Sequence, residues 1–346
     1  MTSGQPELAE LFDRLRDGHV GSAARAITML ESGSHGADEL RELVWSAGGH
    51  ARVIGITGAP GSGKSTLVGA LTAELRRRGR TVAIVAVDPS SAASGGAILG
   101  DRIRMCDVAG DNGVFVRSMS NRGWLGGVAR ATIDAVAVLD VAGWDDVVVE
   151  TVGVGQAEVG VVAIAQTVVV VSVPGMGDEV QMIKAGLLEI ADIHVVNKAD
   201  RPDAGRAVAE LKSMLGLAAP AGPLGWAPPV LETVALAPSG IDGLIEAVEM
   251  HTRSAEASGD RLGRWRQGVE ARVREIAKEL LVDRIRDPAF GADFPGLVAR
   301  VVSRRMSPHA AARELMAVVP GSPDLTAGGG DPMLMPAGGF WKEGHE

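Results

Sequence analysis

The chain has one cysteine, Cys106, in 346 residues. That excludes an internal disulfide framework and a cysteine-based metal cluster. Cys106 reads as an ordinary small residue. Histidine is thinly spread: His19, His35, His50, His194, His251, His309 and His345 do not cluster. Positive charge is in deficit, with 34 Lys and Arg against 43 Asp and Glu and a net charge of −9. A nucleic-acid partner is therefore not favoured. No signal-peptide pattern opens the sequence. The longest apolar stretch, near Val159–Val173, is broken by Gln166 and Thr167. It reads as a helix followed by a buried strand, too interrupted to span a bilayer. These absences predict a cytoplasmic protein without a membrane partner.

Against that background one segment stands out. Gly58, Ala59, Pro60, Gly61, Ser62, Gly63, Lys64 and Ser65 fit the pattern G-x-x-x-x-G-K-[ST]. In a chain with 46 glycines a chance match must be weighed. The flanks argue against chance. Val53, Ile54, Gly55 and Ile56 read as a buried strand, and Thr66 to Arg78 as a helix. Backbone N–H groups of such a loop curl around phosphate oxygens, and the helix N-terminus adds partial positive charge. Lys64 would reach the β- and γ-phosphates, and Ser65 would hold Mg²⁺. The basic run Arg76, Arg77, Arg78 and Arg80 reads as the solvated C-terminal end of this helix, with Gly79 as its cap.

A second motif selects the base. Asn197, Lys198, Ala199 and Asp200 follow the strand-like run Ile193–Val196. A carboxylate at Asp200 can accept from guanine N1–H and N2–H₂. Adenine lacks that donor pair and would leave a polar group unpaired. Asn197 would tie this loop to the phosphate loop, and the stem of Lys198 would lie over the base. Thr233, Val234 and Ala235 follow a further strand and could complete the pocket with backbone groups.

The organisation falls into four stretches. Residues 1–50 carry helical spacing at Leu8, Leu11, Phe12 and Leu15, at Ala23, Ile27 and Leu30, and at Leu40, Leu43 and Val44. Residues 51–255 alternate helical runs with apolar strands near Val53–Thr57, Thr81–Val87, Val114–Arg117, Val147–Glu150, Val168–Val173, Ile193–Asn197 and Val230–Thr233. Continuous apolar strands predict an α/β fold, a mostly parallel central sheet flanked by helices. Residues 256–320 return to helix, with Val269, Val273, Ile276 and Leu280 on one stripe and Ser307 before Pro308 as a cap. Such a helical arm suits dimerisation, and packing on its own domain is equally allowed by the sequence. Residues 321–346 are rich in Gly and Pro and read as a flexible tail.

Further acids sit where strands end. Glu150 closes an apolar strand and is followed by Gly153, whose N–H could bond the γ-phosphate. A bond present only with GTP lets the next loop report nucleotide state. Asp88 ends another strand, and Asp101 lies beyond it. Asp88, Asp101 and Glu150 are candidates for the Mg²⁺ shell or for positioning water. Gln156 is a candidate for orienting that water.

These blocks resemble a known family. Asp88-Pro-Ser-Ser, Ser94-Gly-Gly-Ala-Ile-Leu-Gly-Asp101, Glu150-Thr-Val-Gly-Val-Gly-Gln156 and Pro174-Gly-Met-Gly-Asp-Glu-Val-Gln-Met-Ile-Lys184 are similar to the MeaB/ArgK GTPases. The resemblance runs from about residue 5 to 320. It implies a homodimeric phosphate-loop GTPase that hydrolyses GTP slowly. Such a protein acts as a chaperone for adenosylcobalamin-dependent methylmalonyl-CoA mutase, gating cofactor loading and protecting or reactivating that enzyme. It implies phosphate and Mg²⁺ roles for Lys64 and Ser65, and a Mg²⁺ and catalytic neighbourhood of Asp88, Asp101 and Glu150. A switch over Gly175–Lys184 would couple GTP or GDP to the partner through Asp178, Gln181 and Lys184. Arg122 departs slightly from the family's wording. Nothing in the residues suggests an arginine site. Two alternatives stand beside this reading. A nickel-type metallochaperone GTPase would want clustered His or Cys. A phosphate-loop small-molecule kinase would want ATP, against Asn197–Asp200.

Overall fold

The computed structural model describes residues 5–88, 110–120, 130–151, 164–175, 190–218, 226–286 and 293–317. The chain divides into two compact units, Met1–Arg272 and Val273–Glu346.

The first unit is built on a parallel sheet. Its strands are β1 (Arg52–Gly58), β2 (Val82–Asp88), β3 (Val114–Ser120), β4 (Asp146–Thr151), β5 (Thr167–Ser172), β6 (Ile193–Asn197) and β7 (Val230–Thr233). They lie in the order β3-β2-β4-β1-β5-β6-β7, with every pairing parallel. The mostly parallel α/β sheet expected from the apolar runs is therefore present. Both faces are covered, which is why the strands carry no polar alternation. β4 is buried along its whole length.

Each face has its own core. Helices α1 (Gln5–Arg16), α2 (Val20–Ser32), α3 (Ala37–Ala47), α4 (Lys64–Arg77) and α5 (Arg130–Val141) precede β5. α6 (Ala204–Ala218) and α7 (Ile241–Ala257) follow β6 and β7. On one face Leu15, Ile27 and Leu40 of the first three helices join α5 against Val85, Val147, Val149 and Val168. On the other, Leu67 and Leu71 of α4 and Leu244 and Val248 of α7 pack on Ile54, Ile56, Val148 and Val169. Residues alternate between these cores along β1, β2, β4 and β5, as the two-residue side-chain period requires, while Val196 of β6 packs with Val208 and Leu211 of α6. The apolar positions read in residues 1–50 are mostly buried here, and Leu43 is the exception, facing solvent.

The basic run ends α4 as expected, but its arginines are paired rather than merely solvated. Gly79 has φ +80°. Gly79 N–H donates to Arg76 O (2.9 Å) and Arg80 N–H to Leu75 O (3.0 Å), a Schellman stop. Arg76 then pairs with Asp111 and Arg78 with Glu74 and Asp242. Arg80 and Arg52 both bind the fully buried Asp146, at 2.5 and 2.6 Å.

α8 (Asp260–Arg286) crosses the boundary between the units. In the second unit α9 (Phe294–Val302) and α10 (Pro308–Ala317) are joined by an Arg300–Glu314 pair at 2.8 Å. Ser307 Oγ caps α10 at Ala310 N, with Pro308 in the first turn, as the sequence suggested. Val273 and Leu280 of the expected apolar stripe are each 60% exposed. No described helix is long and apolar enough to cross a membrane.

Candidate nucleotide site

β1 lies at the middle of the sheet, between β4 and β5. The chain runs from β1 to β2 on one side and later crosses to β5 on the other. Ligands of open α/β sheets bind outside the strand C-termini at such a switch point. The loop leaving β1 there is the glycine-rich segment.

β1 ends at Gly58 and α4 begins at Lys64, so the loop joins strand to helix as its chemistry requires. Two glycines are obligatory. A Cβ on Gly58 would stand 2.1 Å from Val171 O on β5. A Cβ on Gly63 would stand 2.6 Å from Asn197 Nδ2, and its φ is +85°. Ala59, Pro60, Gly61 and Ser62 form the bend between them, closed by Ser62 N–H donating to Ala59 O at 3.2 Å. Lys64 is buried, and its ammonium donates to Gly58 O (2.8 Å) and Ala59 O (2.9 Å). The cation therefore stands against the loop backbone. Thr66 follows in the first turn of α4.

Ser65 and Glu150 meet beside the loop. Ser65 Oγ donates to Glu150 Oε1 at 2.6 Å. Strand pairing places the acid, since Glu150 of β4 lies opposite Ile56 of β1 and Ala86 of β2. Glu150 is 5% exposed. A hydroxyl and a carboxylate are hard oxygen donors, and side by side at a phosphate loop they suit Mg²⁺. Asp88 is the last residue of β2, and its backbone pairs with Ser120 of β3. Its side chain lies outside the described residues, as do Asp101, Arg122, Gly153, Gln156, Asp178, Gln181 and Lys184.

The base loop is stapled to the phosphate loop. Asn197 is buried at the end of β6, and its Nδ2 donates to Ser62 O at 2.9 Å. Its Oδ1 accepts from Thr233 Oγ1 (3.2 Å) and from Ala235 N–H (3.3 Å). One amide thus holds three segments together. Ala199 N–H donates to Thr233 O at 3.0 Å, and Val234 bridges to Ser239. Lys198 has φ +59°, and its ammonium donates to Gly61 O at 2.8 Å. Asp200 is exposed on the same loop. The structure therefore brings Gly58–Ser65, Glu150, Asn197–Asp200 and Thr233–Ala235 to one edge. The anchoring roles of the Gly61 and Ser62 carbonyls were missed individually, because a backbone acceptor leaves no signature in residue type.

Comparison with known proteins shows the family. Residues 23–289 match the family described as methylmalonyl Co-A mutase-associated GTPase MeaB. A relative in Pyrococcus abyssi is 44% identical over 304 residues, 88% of this chain and 94% of that one. GTPase ArgK of Escherichia coli is 36% identical over 317 residues, 89% of this chain and 95% of its own length. Among solved structures, that of an LAO/AO transport system kinase matches with a TM-score of 0.70 at 28% identity, covering 92% of this chain and 99% of the other. The chain belongs to the MeaB family of mutase-associated GTPases.

Proposed function

We propose that this GTPase is a Mg²⁺-dependent chaperone for an adenosylcobalamin-dependent methylmalonyl-CoA mutase. On this reading it gates cofactor loading and protects or reactivates its client. The Asn197 amide, bonded to the phosphate loop and to the Thr233–Ala235 segment, is the observation that carries the nucleotide chemistry. A base read by Asp200 is thereby held in fixed register with phosphates bound at Gly58–Ser65. The mutase enters through the description of the matching family.

The chemistry is attack of water on the γ-phosphorus. The bond from that phosphorus to the β–γ bridging oxygen breaks, releasing GDP and inorganic phosphate. Loop N–H groups and Lys64 neutralise charge on the phosphate oxygens, so catalysis is mostly positioning and charge stabilisation. Ser65 and Glu150 would hold Mg²⁺, with Asp88 and Asp101 completing the acidic shell. When bound, the ion would supply neutralisation of the phosphate charge. Gln156 orients the water. Intrinsic turnover is slow, and the client completes the site. Asp178, Gln181 and Lys184 couple nucleotide state to that client, and the working form is a cytoplasmic homodimer.

The test is GTP hydrolysis by the purified protein, alone and with added mutase, with ATP as control. A slow GTP-selective rate that rises with the mutase supports the proposal. A GTP-selective rate indifferent to the mutase removes the client and leaves the GTPase.

A further inference from the structure

Asp134 lies in the second turn of α5 and is 2% exposed. Two guanidinium groups converge on it. Arg41 of α3 donates from Nε to Oδ2 at 2.9 Å. Arg272 of α8 donates to Oδ1 at 2.8 Å. Each carboxylate oxygen serves one arginine. The Arg272 guanidinium also lies over the Trp45 indole of α3, 4.8 Å from the ring centroid. Both arginines are largely desolvated, with side chains 18% and 12% exposed.

The clamp occupies a particular place. α8 runs unbroken through residue 272, where the first compact unit ends. Of the described side chains in its first half, Arg266, Gln267 and Glu270 are exposed and Val269 is only half-buried. Among the described side chains of this stretch, apolar burial is slight and the charge-assisted bonds of Arg272 are the contacts that tie it to α5. Without the carboxylate, two guanidinium groups drawn to one point in a poorly solvated setting would repel each other.

We propose that Asp134 is a charge clamp that sets whether the first half of α8 is docked on α3 and α5 or released. It is a conformational device at the root of the helix leading into the second unit. Arg41 binds the clamp to the body, and Arg272 is the releasable side.

Hydrogen exchange of the full chain, read segment by segment, tests this. In Arg272→Met, amides of residues 261–272 exchange about tenfold faster or more, as a local opening requires. α5 and β4 keep their wild-type rates, and GTP hydrolysis is unchanged. In Arg41→Met the acceleration appears in α3 and not in α8. Asp134→Asn accelerates both helices, and if it does not fold the two arginine variants decide. Wild-type exchange over 261–272 in Arg272→Met overturns the proposal. So does acceleration spread evenly through the first unit, which would make Asp134 an ordinary structural acid.

Discussion

Asn197 Nδ2 and Ser62 O, 135 residues apart in sequence, are joined by a buried hydrogen bond of 2.9 Å. The same side chain accepts from Thr233 and Ala235. Asn197→Ala removes all three bonds and leaves buried donors and an acceptor without partners, at about 1–3 kcal/mol each before relaxation. GTP affinity should fall by about 10- to 100-fold, since about 1.4 kcal/mol is tenfold. Calorimetric titration of the variant with GDP and GTP measures this. Wild-type affinity would show that the staple does not organise the site.

Lys64→Ala removes the loop's own ammonium, which the structure holds 2.8 Å from Gly58 O. Hydrolysis should fall by about 10²–10³-fold or more, the scale for losing a group that stabilises transferred charge. Nucleotide binding weakens sharply as well. Turnover is read by phosphate release under single-turnover conditions. An unchanged rate would refute the assignment of the loop as the active site.

Gly58 is a stability prediction. A Cβ there meets the Val171 backbone carbonyl at 2.1 Å, and neither strand can yield without breaking the β1–β5 ladder. Gly58→Ala should cost about 2–4 kcal/mol, at the upper end for single substitutions. Denaturant melts measure it, and a loss below about 0.5 kcal/mol, the range of an ordinary surface change, would mean the strands separate easily.

His194 sits in β6 with 1% exposure, and burial pushes its imidazole down from 6.5 to about 4, partly opposed by Asp192. The sign follows from proton counting. Between pH 6.5 and 4 the unfolded chain binds a proton that the folded chain refuses, so stability falls as pH falls through this window. The loss is about 2 kcal/mol by pH 5 and about 3 kcal/mol once pH is below 4. Urea melts at pH 7 and pH 5 should show the loss in the wild type, reduced in His194→Gln. An equal drop in both proteins would place the acid sensitivity elsewhere.

Much of this architecture is legible in the amino-acid order. Val53–Thr57 and Val168–Val173 announce themselves because parallel strands covered on both faces need uninterrupted apolar residues. Their observed ends differ by a residue, since pairing with neighbours decides where a strand stops. The strand order is not legible, because β4 inserts between β2 and β1 through contacts that local pattern does not encode. Arg80 reads as a solvated helix end, and only the fold reveals that it meets Asp146 beside Arg52. Val273 and Leu280 show helical spacing, but spacing does not say what covers a face. In the site, the loop and Asn197–Asp200 are legible because phosphate and guanine each impose residue types at fixed offsets. The Ser65–Glu150 contact required the sheet, which sets the acid opposite Ile56.

The most direct test of guanine recognition is nucleotide preference in Asp200→Asn. Xanthine carries a carbonyl where guanine carries its amino group, so an asparagine amide can donate where the aspartate accepts. Parallel turnover of GTP and XTP by the wild type and the variant measures the exchange. Loss of GTP turnover with gain of XTP turnover, each by about 10²-fold or more, is the result expected of a site that matches donors to acceptors. An Asp200→Asn protein that still prefers GTP would contradict the assignment of this loop to the base.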